Sequence, residues 1–252
     1  MDLQLKGKNA VITAASKGIG KAIALRLAGE GVNIAICARG EAALRATEAE
    51  LGQTGVKVCA QVCDVGQADA LEHFLMQARE TLGGVDLLVN NASGFGLSDD
   101  EDAWQASVNV DLMAAVRATR IVTPWMEASG GGSVVHISSV AALEVFGSAA
   151  AYSATKLALI SHSKMMAVTL AAKKIRVNVV APGSIEFPGG MWENVKHGNR
   201  PFYDAILSTI PWGRLGTPGE VADAVVFLGS PRASWITGAC LLVDGGQHKG
   251  TF

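Results

Sequence analysis

The stretch NAVITAASKGIGKAIALRLAG, residues 9–29, decides the fold of this chain. It begins as an apolar strand at residues 9–13, passes through the small-residue turn TAASKGIG and continues as a helical pattern over residues 21–29. Such a turn leaves backbone N–H groups free at the positive end of a helix dipole, where a pyrophosphate can bind. Gly18 and Gly20 carry no Cβ, so that backbone and ligand can approach each other there. Alone, the turn is a weak functional signal, because glycine-rich turns occur in many α/β units.

Strand and helix patterns alternate along the rest of the chain. Strands are predicted at residues 32–37, 56–62, 85–90, 133–137, 176–180 and 239–243. The alternation predicts an α/β fold, a single-domain doubly wound parallel sheet (Rossmann-type) with helices on both faces. Near-continuous apolar runs such as VDLLVN and SVVHIS fit strands that are covered on both faces. Ligands of such sheets bind at the carboxyl ends of the strands.

Length and composition fit one α/β domain spanning residues 1–252. The chain has 252 residues, 49% of them hydrophobic, and a formal charge of −2. It carries no basic stretch of the kind that nucleic-acid binding requires. No segment reaches the roughly 20 uninterrupted apolar residues of a membrane span, and the N-terminus MDLQLKGKNA lacks the apolar core of a signal peptide. We therefore expect no nucleic-acid or membrane partner and a cytoplasmic location.

The cysteines do not predict a metal site or a disulfide. Cys37, Cys59, Cys63 and Cys240 form no CxxC pair with a matching partner, and the five histidines are scattered. Cys37 and Cys240 lie in apolar runs that resemble strands. Reduced, buried thiols are therefore favoured over a disulfide or a metal centre.

The run YSATK, residues 152–156, suggests proton chemistry at a carbonyl. Residues four apart on a helix project from the same face, so the ammonium of Lys156 can lie near the phenol of Tyr152 and favour its ionised form. A phenol ionises near pH ~10 in water, and a neighbouring cation lets it act as an acid or base closer to neutrality. Ser139 ends an apolar strand upstream. A bare YxxxK also fits an ordinary helix with a buried Tyr and an exposed Lys.

Six motifs stand in one order along the chain: TAASKGIG at residues 13–20, NNAS at 90–93, Asn109, Ser139, YSATK and Pro182–Gly183. In this order and spacing the chain resembles the short-chain dehydrogenase/reductase family over nearly its whole length, and its 3-oxoacyl-carrier-protein reductase subgroup in particular. There are three departures. Ala14 replaces the first glycine of the turn, Ser93 replaces the glycine of NNAG, and Phe187 replaces a threonine that in relatives helps to hold the nicotinamide amide.

The resemblance implies four catalytic residues. Ser139 would hydrogen-bond the substrate oxygen, and Tyr152 would exchange a proton with it. Lys156 would promote ionisation of Tyr152 and hold the nicotinamide ribose. Asn109 would fix a water that links Lys156 to solvent. Taken alone, Asn109 is more simply explained as a buried asparagine bonded to backbone.

The resemblance also implies a nicotinamide cofactor site at the glycine turn, the strand ends and the PG motif. Its residues are Thr13, Ser16, Lys17, Gly18, Ile19, Gly20, Arg39, Asp64, Val65, Asn91, Ala92, Ser93, Tyr152, Lys156, Pro182, Gly183 and Ile185. Relatives that prefer NAD(H) carry an acid at the end of the second strand, whereas this chain reads Cys37–Ala38–Arg39. Lys17 and Arg39 place two cations where a 2′-phosphate would lie, which favours NADP(H).

The segment at about residues 184–212 corresponds to a variable substrate lid in the family. It is rich in large apolar side chains: Phe187, Met191, Trp192, Phe202, Tyr203 and Trp212. Phe95, Leu143 and Phe146 could extend this wall, which favours a hydrophobic or ring-containing ketone or alcohol as substrate. The same side chains could instead pack the lid onto the domain or fill a subunit contact.

Other functions remain open at this point. Lys196, His197 and Arg200 could meet an anionic group, which keeps a 3-oxoacyl-carrier-protein reductase as the alternative enzyme. A dinucleotide-binding sensor is the non-enzyme alternative, since fold alone does not fix function. Retention of the four implied catalytic residues argues against a sensor. Family members commonly form homodimers or homotetramers, and we expect the same here.

Overall fold

The structure is a computed structural model that describes residues 1–145, 147 and 149–251. Within these ranges seven strands form one sheet: β1 (Asn9–Ile12), β2 (Asn33–Ala38), β3 (Val58–Val62), β4 (Leu87–Asn90), β5 (Gly132–Ile137), β6 (Ile175–Pro182) and β7 (Cys240–Val243). All neighbouring strands are parallel, in the order β3-β2-β1-β4-β5-β6-β7. The predicted parallel sheet is confirmed, and every predicted strand is present within two residues of its expected ends.

Helices cover both faces of this sheet. They are α1 (Gly18–Gly29), α2 (Glu41–Gly52), α3 (Ala68–Leu82), α4 (Glu101–Ala106), α5 (Ala114–Ala128), α6 (Ala150–Leu170), α7 (Met191–Gly198), α8 (Arg200–Thr209) and α9 (Pro218–Gly229). Apolar side chains of α1, α2 and α9 form one core with the sheet, and those of α3, α5 and α6 form the other. This two-sided burial explains the near-continuous apolar strands.

A π-helical stretch, Ser107–Met113, separates α4 from α5. The sequence predicts an ordinary helix over SVNVDLM, and the structure widens it by this irregularity. Such bulges alter which side chains face a neighbouring element and often occur at functional sites. The stretch packs against α6, so its side chains can reach those of α6.

The carboxyl ends of the central strands converge on one edge of the sheet. Strand order reverses between β1 and β4, because the chain passes from β3 at the sheet edge back to β4 beside β1. A crevice forms where the order reverses, and ligands of open α/β sheets bind there. The NNAS turn follows β4 and Ser139 follows β5, so the sequence motifs gather at this crevice.

The four cysteines are free thiols. Cys37 is buried in β2, as predicted. The prediction of burial is wrong for Cys240, which is exposed because β7 is an edge strand with a neighbour on one side only. Among the described residues there is no cluster of side chains suited to a metal ion. None of the helices in the same ranges combines the length and apolar character needed to cross a bilayer.

One buried polar side chain interrupts the core beneath the crevice. His136 of β5 is fully buried, and its Nδ1 lies 3.1 Å from the amide nitrogen of Asn90 on β4. Burial above all, together with the nearby His162 and Lys156, lowers the pKa of His136 to about 3. His136 is therefore neutral in the folded protein at every pH at which the fold is normally studied.

We predict that His136 makes the fold acid-sensitive. Between its ordinary pKa of about 6.5 and its folded value, the unfolded chain binds the extra proton, so stability is lost as pH falls below 6.5. At about 1.4 kcal/mol per pH unit, wild type should lose roughly 2 kcal/mol more than His136→Gln between pH 6.5 and 5. Urea unfolding at several pH values measures this. His73→Gln, on the exposed side of α3, is the control, and equal pH slopes for wild type and His136→Gln would contradict the prediction.

Candidate active site

A cavity of about 640 Å³ opens at the carboxyl ends of the strands. It is lined by most of the residues predicted from the sequence: Ser16, Lys17, Ile19, Gly20, Arg39, Asp64, Val65, Asn91, Ala92, Ser93, Ser139, Tyr152, Lys156, Pro182, Gly183 and Ile185. Three predicted residues, Thr13, Gly18 and Asn109, do not line it. One cavity therefore brings together the glycine turn, the NNAS turn, the PG motif and the Tyr–Lys pair.

Thr13 lies beneath the cavity wall and positions Asn91. Its hydroxyl accepts the backbone N–H of Asn91 at 3.0 Å, and its carbonyl accepts the Asn91 side-chain amide at 3.1 Å. The same amide also donates to the carbonyl of Ala14 at 3.0 Å. Thr13 thus acts on this site through Asn91, which joins the end of β4 to the glycine turn.

The glycine turn has little room for larger residues. A Cβ on Gly20 would lie 2.5 Å from the amide nitrogen of Asn91 and 2.6 Å from the carbonyl oxygen of Ala14. Ala14 has φ +54°, a left-handed conformation that costs a non-glycine residue about 1–2 kcal/mol. Ala14, which replaces the first glycine of the turn, therefore keeps a strained left-handed backbone, and its carbonyl accepts a hydrogen bond from the Asn91 side chain.

Tyr152 and Lys156 project from adjacent turns of α6, as the spacing predicts. The Lys156 Nζ atom lies 5.7 Å from the centre of the Tyr152 ring. Lys156 is only 2% exposed and donates to the carbonyl of Ile137 at 2.9 Å. Ser139 accepts the N–H of Ala141 at 3.1 Å, which leaves its hydroxyl proton available for donation into the cavity.

A buried carboxylate, Asp111, pairs with Lys156. Its Oδ1 atom lies 3.1 Å from the Lys156 Nζ, and the Asp111 side chain is fully buried. The other carboxylate oxygen accepts the N–H of Gly94 at 3.0 Å. The pair joins the π-helical stretch to α6 and to the loop that follows β4.

The structure does not place Asn109 on the cavity wall that holds Ser139, Tyr152 and Lys156. Its side-chain amide donates to the carbonyl of Gly66 at 2.9 Å, and its oxygen accepts Arg117 at 2.9 Å. The side chain that contacts Lys156 directly is that of Asp111, and the water-mediated role of Asn109 stays a prediction. Two residues separated by one position point to different sides of a helix, so Asn109 faces the loop after β3 while Asp111 faces α6.

Asp111 could have been found in the sequence. It stands in VNVDLMAAV, an acidic residue among apolar ones on a helix expected to be buried. A buried carboxylate requires a cation or several donors, and Lys156 is a cation in an equally apolar run. Matching the family motif by residue type led to Asn109, whereas the cost of burying a charge points to Asp111.

Lys17 and Arg39 lie at the open end of the cavity. Both are exposed, and both line it beside Ala38 and Gly40. Neither belongs to any ion pair found among the described residues. Among the described residues that line the cavity, Asp64 is the only one with an acidic side chain. This end of the cavity is thus cationic, as the Cys37–Ala38–Arg39 sequence suggests.

The opposite end has an apolar wall. Phe95 stacks on Tyr152 with ring centres 6.0 Å apart, and Met191 and Trp192 also belong to this wall, while Phe187 lines the cavity beside the glycine turn. Phe202 stacks on Trp192 from outside, with ring centres 6.1 Å apart. The predicted wall is thus formed by some of the proposed aromatics, whereas others lie elsewhere: Leu143, Phe202, Tyr203 and Trp212 do not line the cavity. Phe146 lies outside the described residues.

The cations of the segment 184–212 are paired with nearby carboxylates. Lys196 lies 2.7 Å from Glu186, and Arg200 lies 2.8 Å from Asp204. The hydroxyl of Tyr203 also donates to Glu186. Hydrogen bonds from Lys196 and Tyr203 lower the pKa of Glu186, so it stays ionised. Glu186 thus links α7 to α8 through Lys196 and Tyr203, the Arg200–Asp204 pair lies within α8, and neither cation is left without a carboxylate partner.

Comparison with known proteins agrees with these motifs. A family model described as enoyl-(acyl carrier protein) reductase matches residues 13–248. Dehydrogenase/reductase SDR family member 4 of Oryctolagus cuniculus is 38% identical over 249 residues, which is 96% of this chain and 94% of the relative.

Two solved structures resemble the whole chain. L-sorbose reductase of Gluconobacter frateurii, complexed with NADPH and L-sorbose, has a TM-score of 0.92 at 34% identity. The match covers 99% of this chain and 100% of the reductase chain. A 7α-hydroxysteroid dehydrogenase, complexed with NADH and 7-oxo glycochenodeoxycholic acid, has a TM-score of 0.91 at 33% identity. The match covers 97% of this chain and 96% of the dehydrogenase chain.

We predict that Asp111→Asn destabilises the protein strongly. The change removes one charge of a buried pair and leaves Lys156 uncompensated, which typically costs about 3–5 kcal/mol. Glu127→Gln, which breaks the exposed pair with Lys173 at 2.7 Å, is the control and should cost less than about 1 kcal/mol. Chemical denaturation of both variants measures the two values. If Asp111→Asn and Glu127→Gln lost similar amounts of stability, the prediction that Asp111→Asn leaves the charge of Lys156 uncompensated would be wrong.

Proposed function

Because the chain belongs to the short-chain dehydrogenase/reductase family and is an oxidoreductase of CH–OH and C=O groups, we propose that it uses NADP(H) to interconvert a ketone and a secondary alcohol. The substrate is hydrophobic or ring-containing. The observation that carries the proposal is the meeting of Ser139, Tyr152 and the buried Lys156 on one cavity wall, between a cationic end and an apolar end.

The cavity suits a nicotinamide dinucleotide. Ser16, Lys17, Ile19 and Gly20 surround the N-terminus of α1, where free N–H groups and the helix dipole favour a pyrophosphate. The cavity volume of about 640 Å³ is within the usual range for ligand sites. One similar structure is described with NADPH and another with NADH, so the choice rests on this chain's own charges.

Charge favours the phosphorylated cofactor. A 2′-phosphate beside the end of β2 would meet Lys17 and Arg39, and the stretch Cys37–Ala38–Arg39 contains no acid to repel it. Arg in particular binds phosphate through paired donors. Asp64 also lines the cavity, and the resemblance implies that it contacts the adenine.

The mechanism assigns each residue one task. When bound, the nicotinamide supplies or accepts the hydride. Ser139 donates a hydrogen bond to the substrate oxygen, and the Tyr152 phenol gives that oxygen a proton in reduction or removes one in oxidation. The ammonium of Lys156 stabilises the phenolate that reduction leaves behind. Asp111 positions Lys156 and balances its buried charge.

Substrate class follows from the apolar end of the cavity. Phe95 extends the wall from the Tyr152 ring, and Met191 and Trp192 line the same cavity. We propose residues 184–212 as the lid over this end. An acyl-carrier-protein substrate is less favoured, because Lys196 and Arg200 already pair with Glu186 and Asp204. The sensor alternative loses its basis, since the relatives are dehydrogenases and reductases.

Turnover with a panel of ketones tests the proposal. Purified protein with NADPH should reduce cyclic and steroid-like ketones faster than L-sorbose, and NADH should support lower kcat/KM than NADPH. A preference for L-sorbose would overturn the substrate class. Absence of turnover with every ketone, despite NADPH binding, would overturn the proposed activity.

We also propose a homodimer or homotetramer. Leu157, Met165 and Val168 form an exposed apolar stripe on one side of α6, with exposures of 49%, 66% and 73%. Such a stripe is typical of a surface covered by a partner. Sedimentation should give an oligomer that Val168→Glu weakens; a wild-type monomer would contradict this. The cytoplasmic location stays a prediction from the sequence.

We predict that Tyr152→Phe abolishes turnover without loss of cofactor binding. The substitution removes the proton donor but keeps the ring that stacks on Phe95. Loss of general acid–base catalysis typically lowers kcat about 10²–10⁴-fold. Steady-state kinetics and NADPH fluorescence titration measure the two effects. Tyr203→Phe, at the only other tyrosine, is the control, and a wild-type kcat for Tyr152→Phe would refute the mechanism.

We predict that Arg39→Asp shifts cofactor preference from NADPH towards NADH. The substitution removes a phosphate donor and adds an acid that repels the phosphate and can accept from a ribose. Charge-assisted hydrogen bonds of about 1.5–3 kcal/mol correspond to a change of roughly 10- to 100-fold in the ratio of the two kcat/KM values. Lys57→Asp, an exposed charge away from the cavity, should leave the ratio unchanged. An unaltered ratio for Arg39→Asp would show that Arg39 does not contact the phosphate.

A further inference from the structure

The ring of Phe187 lies directly on the glycine turn. A Cβ placed on Gly18 would be 2.5 Å from the ring Cζ and 2.8 Å from Cε2, closer than real carbon contacts allow. Gly18 also has φ +56°, which favours glycine. The ring therefore fills the space that the missing side chain of Gly18 leaves open.

The outline of the cavity leads to the same conclusion. Ser16 and Lys17 line it on one side of the turn, and Ile19 and Gly20 line it on the other. Gly18 itself is absent from the lining, whereas Phe187 belongs to it. The ring thus separates Gly18 from the cavity. In a turn of this type, the glycine without a Cβ is where backbone and pyrophosphate come closest.

The same ring also touches the start of α7. Its Cε2 and Cζ atoms each lie 3.0 Å from the Cβ position of Gly190, and Gly190 donates its N–H to the Phe187 carbonyl at 3.0 Å. Gly190 immediately precedes α7, whose Met191 and Trp192 line the substrate end of the cavity. Phe187 is therefore packed between the cofactor turn and the helix that carries the substrate wall.

The residues before Phe187 are held firmly. Ile185 pairs with Gly216, and Glu186 donates to the carbonyl of Gly216 at 2.9 Å. After Phe187 the chain passes through Pro188, Gly189 and Gly190, and Gly189 has φ +70°. A displaced ring would consequently move the turn that follows it, towards α7, rather than the strand-like pairing that precedes it.

We propose that Phe187 and the pyrophosphate of the dinucleotide exclude each other at Gly18, so that cofactor binding moves the ring and with it the first turn of α7. Phe187 is a positioning residue that couples the cofactor site to the substrate wall. The proposal rests on the dinucleotide site assigned above. Its functional consequence is an order of binding, in which the dinucleotide enters first and sets the position of Met191 and Trp192.

The coupling lowers the apparent affinity for the cofactor, because binding must displace a ring that packs on the core formed by α1, α2, α9 and the sheet. Removal of the ring should therefore tighten binding. For Phe187→Ala we expect the Kd of NADPH to fall roughly tenfold, because exposing a partly buried aromatic ring raises the Kd by about that factor in wild type. Phe187→Leu retains apolar packing without the ring and should lie between Ala and wild type.

Two measurements on the full-length protein test the proposal. Nicotinamide fluorescence titration gives the Kd of NADPH, and hydrogen exchange of residues 187–198 with and without NADPH reports the movement of α7. In wild type, NADPH should change exchange in this segment, whereas in Phe187→Ala the change should be lost although binding is tighter. The control is Phe202→Ala, which removes another lid aromatic that stacks on Trp192 but does not line the cavity; its Kd should match wild type.

Each outcome decides the matter. Weaker binding in Phe187→Ala would mean that the ring packs on bound cofactor, and unchanged binding would mean that it does not compete; either result overturns the proposal. Should Phe187→Ala fail to fold, Phe187→Leu decides by the same criteria. If wild type binds NADPH but the variants bind no tighter, the coupling fails and the proposed function stands. If neither wild type nor variants bind NADPH or NADH, both proposals fail.

Discussion

The burial of one positive charge organises the centre of this molecule. Lys156 carries an ammonium into a region with almost no solvent contact, which would be prohibitively costly without a compensating charge and acceptors. Asp111 supplies the charge at 3.1 Å, and the carbonyl of Ile137 supplies an acceptor at 2.9 Å. Through these contacts α6, the π-helical stretch and the end of β5 are fixed relative to one another. The same contacts fix the position of Tyr152, because it lies one turn before Lys156 on α6.

The sequence predicts the frame of the molecule well for a physical reason. Parallel strands buried on both faces must be apolar along their whole length, so runs such as VDLLVN can hardly be anything else. The ends shift by a residue or two because hydrogen bonding, and not side-chain pattern, decides where pairing stops. Tyr152 and Lys156 could be paired from their spacing alone, because a regular helix fixes which side chains share a face.

Prediction fails where the backbone departs from regularity. Asn109 and Asp111 lie in the π-helical stretch, and a motif matched by residue type selects Asn109 and overlooks Asp111, which pairs with Lys156. Asn109 instead ties this stretch to Gly66, in the loop that also carries Asp64 and Val65 of the cavity wall. Phe187 shows the same limit in another form. The sequence indicates the loss of a threonine hydroxyl, whereas only the three-dimensional structure reveals that a ring has been placed on Gly18.

The charges around the cavity differ in how strongly dissolved salt screens them. Lys17 and Arg39 are exposed at the cationic end, so their attraction for a phosphate is screened by salt over a Debye length of about 8–10 Å. Lys156 and Asp111 are sealed from solvent, so the field that acts on Tyr152 is nearly independent of ionic strength. The proposed selection of the cofactor and the proposed proton transfer by Tyr152 are therefore separable properties of one cavity. Rising salt should erode the preference for a phosphorylated dinucleotide, yet leave the chemical step on bound substrate unchanged, because solvent ions reach the first pair of charges and not the second.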